Sequence, residues 1–132
     1  MFKYTTDDQH PYYFDKKIMD SGQAIRIEFQ EEWTKTTVYF NISLVIKNKN
    51  KDPYPALEQT GKDGLKGLLW ARNKVLEFEK FIREDARYNK SKIIMICRWD
   101  DSRRRDAYFY GLSKYGYKYG MLYGSKAILK QI

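Results

Sequence analysis

The sequence predicts one α/β (α+β) domain, built on a single mixed central sheet flanked by two helices. Three observations carry this expectation. Residues 23–30, QAIRIEFQ, and 36–46, TTVYFNISLVI, alternate apolar and polar side chains at the period of a half-buried strand. Residues 64–85, GLKGLLWARNKVLEFEKFIRED, repeat Leu68, Ala71, Val75, Phe78 and Ile82 at helical spacing. Residues 92–99, KIIMICRW, are then apolar on both faces, as in a central strand covered on both sides. The chain has 132 residues, the length of one compact domain that buries a core without disulfides or a structural metal.

Taken in order, residues 1–22 hold Pro11 with several Tyr and Phe and no sustained period. They read as an irregular aromatic N-terminal arm, or a short strand, docked on the domain at 23–132. The two alternating stretches are joined by the polar link EEWTK and make an antiparallel hairpin with one face in the core. KNKNKDPYPALEQTGKDG, residues 47–64, has two prolines, two glycines and a charge run, which is loop composition. It feeds the long amphipathic helix, for which Asp63 is the expected N-cap. A helix followed by a doubly apolar strand implies a crossover into a parallel neighbour. A second helix is expected from Arg103, with Ala107, Tyr108, Leu112 and Tyr115 at helical spacing and Gly116 as its left-handed stop. The remaining YKYGMLYGSKAILKQI suits a strand or a short closing helix equally.

Composition narrows the function classes. A mean hydropathy of -0.75 and 32% charged residues argue against a membrane span, and the opening residues lack the pattern of a signal peptide, so a cytoplasmic protein is expected. The formal charge of +8, with blocks at 47–51 and 103–105, favours phosphate, acidic proteins or anionic cofactors as partners. His10 is the only histidine and Cys97 the only cysteine, so a zinc site or a His-dependent triad has nothing to be built from, and no metal is expected. Cys97 within IIMIC reads as a buried, inert thiol. GKDG at 61–64 lacks the Gly-Lys-Ser/Thr ending of a nucleotide loop. Its glycines before a long helix still suit an anion, because backbone amides and the helix dipole converge there and Lys62 adds a charge.

With these elements on the page, the chain resembles the GNAT superfamily of acyl-CoA-dependent N-acyltransferases. In that family a central strand leads through a loop of form Gln/Arg-x-x-Gly-x-Gly/Ala into a long helix. Here the segment is Gln59-Thr60-Gly61-Lys62-Asp63-Gly64, with Lys62 in place of the middle glycine. Tyr115-Gly116-Tyr117 stands where the family's tyrosine-bearing helix ends, and Leu112 occupies the usual position of its general-acid tyrosine. The resemblance implies acetyl-CoA or another acyl-CoA as cofactor, its pyrophosphate held by Gln59, Gly61, Lys62 and Gly64. It implies attack of an amine on the thioester, with Tyr108 or Tyr110 as the acid. Glu28 or Glu58 is then the base, or a bound water serves, since Asn41 and Ser43 on the second strand carry no carboxylate. A non-catalytic relative of the fold stays open.

Two other readings stand beside it. Arg103, Arg104, Arg105, Lys114 and Lys118 with Tyr115, Tyr117 and Tyr119 combine phosphate neutralisation with base stacking, the composition of a nucleic-acid-binding surface. Alternatively the aromatic arm and tail dock on neighbours, as in a structural component of a larger assembly.

Overall fold

The structure is a computed structural model, and it describes residues 2–6, 11–47, 54–55, 62–99 and 102–132. The chain runs β1 (Lys3–Thr5), β2 (Tyr12–Ile18), β3 (Ala24–Thr34), β4 (Thr37–Lys47), β5 (Tyr54–Pro55), α1 (Lys62–Arg83), β6 (Lys92–Cys97), α2 (Ser102–Leu112), a 3-10 turn (Ser113–Tyr115), β7 (Lys118–Leu122) and β8 (Ser125–Gln131). One mixed sheet orders the strands β1-β2-β3-β4-β6-β8-β7, and β5 pairs onto β4 off this path. β1 to β4 form an antiparallel meander, β4 and β6 run parallel, and β8 is antiparallel to both β6 and β7.

The alternation sets the layers. Ile25, Ile27 and Phe29 of β3 are buried, and Phe29 pairs directly with Ile42, Ile27 with Leu44. Directly opposed residues share a face, so this apolar row continues through Ile42↔Cys97 and Cys97↔Ile128 to Tyr119, where Phe109 of α2 stacks at 4.2 Å. Both helices therefore cover the same face. α1 contributes Ala71, Val75, Phe78 and Ile82 to the core, the stripe its spacing predicts. Gly67 brings it close: a Cβ there would stand 3.0 Å from Cδ1 of Ile25.

Aromatic rings dominate the core. Phe78 stacks on Phe29 at 3.9 Å, and Phe2, Phe40 and Tyr13 meet it edge-on. Phe2 reaches this cluster from the residue before β1, so the aromatics of the first segment dock on the domain as their composition suggests.

Several expectations are corrected. Residues 12–18 form a full strand paired with β3 along its length, and residues 3–5 a shorter one, so the arm belongs to the sheet. The link EEWTK is mostly strand: Glu31 to Thr34 pair with Phe40 to Thr37, and the turn shrinks to Lys35 and Thr36, with Lys35 left-handed at φ 53°. Polar residues there leave the apolar alternation without ending the hydrogen-bond ladder. Asp63 does not cap α1, because the helix already includes Lys62, and Gly64 is helical within its first turn. No helix among the described residues covers the second face of β6. Ile96 is buried there, opposite Asn41 and Leu129.

Gly116 ends the second helical segment at φ 93°, as expected. The open question of the tail resolves as a hairpin. Tyr123 and Gly124 both take positive φ, at 50° and 77°, the pattern of a two-residue turn whose twist matches its strands.

Candidate functional site

The parallel pairing of β4 and β6 stops at Ile42↔Cys97, while β4 continues to Lys47. Beyond Ile42, among the described residues, β5 joins β4 at Val45 and Ile46. Ser43 and Leu44 thus lie where the sheet divides, beyond the C-terminal end of β6, and a crevice at that end of parallel strands is the usual ligand position in open α/β sheets. A cleft of about 620 Å³ occupies this place, between α1, α2 and the sheet. Ile27, Ile42, Leu44 and Cys97 form its floor, Leu68, Ala71 and Val75 one wall, and Ala107, Tyr108, Gly111 and Leu112 the other.

The cleft is apolar in its depth and positive where it is polar. Arg72, Arg98, Arg104 and Lys114 line it, and no Asp or Glu does among the described residues. The Arg72 guanidinium stands 5.8 Å from the Tyr115 ring centroid and Lys114 Nζ 5.7 Å from that of Tyr110, which places two cations at the junction of the helices. Arg98 turns to the outer face and donates to Asn41 Oδ1 at 3.2 Å. Burial pushes the Cys97 thiol up to about 12, so it is a protonated floor residue and not a nucleophile.

The predicted site residues divide. Tyr108 is half-buried in the cleft wall, one helical turn from Arg104 and Leu112, whereas Tyr110 is 75% exposed at the rim. Glu28 is not brought to them. It pairs with Ser43 from the outer-facing set of β3, and its carboxylate holds Arg26 Nε at 2.7 Å, because strand alternation puts it opposite Ile27 and Phe29. Ser43 lines the cleft and Asn41 does not. Lys62 and Gly64 fall in the first turn of α1, while Gln59, Gly61 and Glu58 lie outside the described residues.

The basic aromatic set is also split. Arg104 is 6% exposed and Tyr117 fully buried, so neither belongs to an exposed surface. Arg103, Lys114 and Lys118 are exposed, Arg105 pairs with Asp106 at 3.0 Å, and Tyr115 is half-buried. Tyr119, 45% exposed, has one face against Phe109.

Two buried polar networks escaped the sequence reading. Glu79 of α1 is buried, accepting from Tyr117 Oη at 2.7 Å and from Lys130 Nζ at 2.7 Å. A signal existed: position 79 falls on the apolar stripe of Val75, Phe78 and Ile82, where a carboxylate requires a partner. At the other network Tyr88 donates to Glu31, Tyr13 and Tyr88 hydroxyls lie 3.1 Å apart, and Arg87 donates to Tyr13 at 2.6 Å while paired to Asp85. These partners lie far apart in sequence, so no local pattern announces them.

Burial raises the pKa of the Tyr13, Tyr88 and Tyr117 hydroxyls, aided at Tyr88 by Glu31 and at Tyr117 by the Glu79 charge. A tyrosine whose folded pKa is raised contributes stability that is complete below its unfolded value of about 10 and is lost as pH climbs above it. Urea unfolding is expected to be level in this contribution from about pH 8 to about pH 10 and to lose, above that, up to about 1.4 kcal/mol per pH unit for each such group that ionises only on unfolding. Hydroxyl absorbance should show these three titrating with unfolding. A flat profile to about pH 11 contradicts the burial of the hydroxyls.

Among the described residues no group of three or more His, Cys, Asp or Glu gathers as for a metal ion, and no helix is long and apolar enough to cross a membrane. No family model, no curated protein and no solved structure matches the chain, so a reading of the cleft stands on its own geometry and chemistry.

Proposed function

We propose that the chain is an acyl-CoA-dependent N-acyltransferase whose cofactor occupies the cleft between α1 and α2. The carrying observation is the cleft itself: apolar in depth, lined by the cations Arg72, Arg104 and Lys114, and placed where β4 and β6 part. Coenzyme A is an amphiphile with phosphates at one end and a thioester arm bearing amides at the other. The apolar floor suits the arm, and Ser43 and Leu44 of β4, which line the cleft, supply backbone polar groups of the kind its amides pair with. The N-terminal turn of the 22-residue α1, which includes Lys62 and Gly64, suits the phosphates through its helix dipole.

In this reading the acceptor nitrogen forms a bond to the thioester carbonyl carbon, the C–S bond breaks, and the leaving sulfur takes the Tyr108 hydroxyl proton. Tyr108 is preferred to Tyr110 because it is half-buried in the cleft wall, whereas Tyr110 is largely exposed. With no carboxylate among the described lining residues, the amine enters neutral and gives its proton to water.

The test is a thermal melt. At about 100-fold excess over Kd, acetyl-CoA is expected to stabilise the chain by about 2.7 kcal/mol. Gly111→Trp should abolish the shift while leaving the free protein folded, because a Cβ at Gly111 meets nothing within 4 Å and the indole then fills the cleft. Tyr108→Phe should keep the shift and lower turnover by about 100-fold or more. No shift at about 1 mM ligand sinks the reading.

A further inference from the structure

A second hollow, of about 560 Å³, opens on the other flank of α2, against the β7–β8 hairpin. Trp99 belongs to both hollows. Here its ring meets Tyr119 at 5.9 Å with planes 87° apart. Phe109 backs Tyr119 at 4.2 Å and 14°, so the tyrosine ring is held in place. Trp99 and Tyr119 are thus two walls of a right-angled aromatic corner, and Met121, 61% exposed, adds a soft apolar side.

An aromatic corner suits two ligand types. It takes a quaternary ammonium through cation–π attraction, or a planar ring through stacking. Charge decides between them. Among the described residues, Arg105 and Lys126 line the hollow with one acid, Asp106, which pairs with Arg105 at 3.0 Å. Their balance leaves a net positive charge, which repels an ammonium and attracts an anion. We propose that this corner binds a planar ring carrying a phosphate, the chemistry of a mononucleotide. The ring stacks on the Trp99–Tyr119 corner, and the phosphate lies between Arg105 and Lys126. This uses Arg105 and Tyr119, which the cleft chemistry leaves without a role. A free nucleotide and the nucleotide end of coenzyme A share this chemistry.

Calorimetric titration of the full chain with AMP tests it. Saturable binding is expected, with adenosine alone and inorganic phosphate alone each weaker by about tenfold or more, the scale of losing one stacked base or one paired phosphate. Tyr119→Leu and Lys126→Ala should each weaken AMP by about tenfold. Lys126 is exposed, so its variant reports on binding even if Tyr119→Leu disturbs the packing on Phe109. Coenzyme A identifies the source: a matching loss of its affinity in Lys126→Ala assigns the corner to its nucleotide end, and an unchanged affinity assigns it to a separate nucleotide. Gly111→Trp should leave AMP binding intact, which keeps this result independent of the acyl-transfer reading. The proposal is overturned by absent AMP saturation at about 1 mM, by phosphate binding as tightly as AMP, or by AMP affinity indifferent to both Arg105→Ala and Lys126→Ala.

Discussion

Phe78→Ala is expected to destabilise the fold by about 3–5 kcal/mol, the range for removing a fully buried aromatic ring. Phe78 has no exposed surface and lies at the centre of the aromatic core, parallel to Phe29 at 3.9 Å and edge-on to Phe2, Phe40 and Tyr13. Its removal forfeits transfer free energy and leaves a void that rigid neighbouring rings cannot collapse into. Beyond area, each ring pair contributes about 0.5–1.5 kcal/mol. Phe78→Leu should cost less, because it refills much of the volume while losing the ring pairs. Urea unfolding followed by circular dichroism measures both. A loss under about 1 kcal/mol for the alanine variant would mean that the ring is not central to the core.

Glu79→Ala is expected to be nearly as severe, about 3 kcal/mol, at the lower end for breaking a buried ion pair because Lys130 keeps some access to water. The variant leaves the Tyr117 hydroxyl and the Lys130 ammonium without their shared acceptor. Tyr117→Phe, which removes one donor and leaves the charge pair intact, should cost about 1 kcal/mol. The double variant separates the two contributions: with Glu79 already gone, Tyr117→Phe should become nearly neutral, since the hydroxyl then has nothing to donate to. Additive costs would contradict the shared network.

The elements that the sequence predicted best are those whose burial repeats locally. The stripe from Leu68 to Ile82 and the alternation from Ile25 to Phe29 each carry their period within one segment, and both are core in the structure. The hairpin turn at Lys35 and the strand at Tyr12–Ile18 were less legible because their outward residues are polar or aromatic without a clean period. Site residues divide along the same line. Helical spacing alone brings Tyr108 beside Leu112 in the cleft wall. Glu28 was misplaced because a candidate base was chosen by residue type, whereas pleat parity sends it to the outer face. The Tyr-Gly surroundings of Tyr117 do not decide its burial, because its hydroxyl is satisfied by a residue 38 positions away, a separation no local pattern spans.

The position of β8 has a consequence for how the chain is made. Of the strands described, β8 comes last in chain order, yet it lies inside the sheet, between β6 and β7. Until residues 125–131 emerge, one edge of β6 carries its unpaired amides and carbonyls beside the apolar run of Ile93 to Cys97. That is the kind of edge that recruits foreign strands. The nascent chain therefore passes through a sticky interval between the emergence of β6 and that of β8, and the tight Tyr123–Gly124 turn shortens it by folding β8 back as soon as it appears.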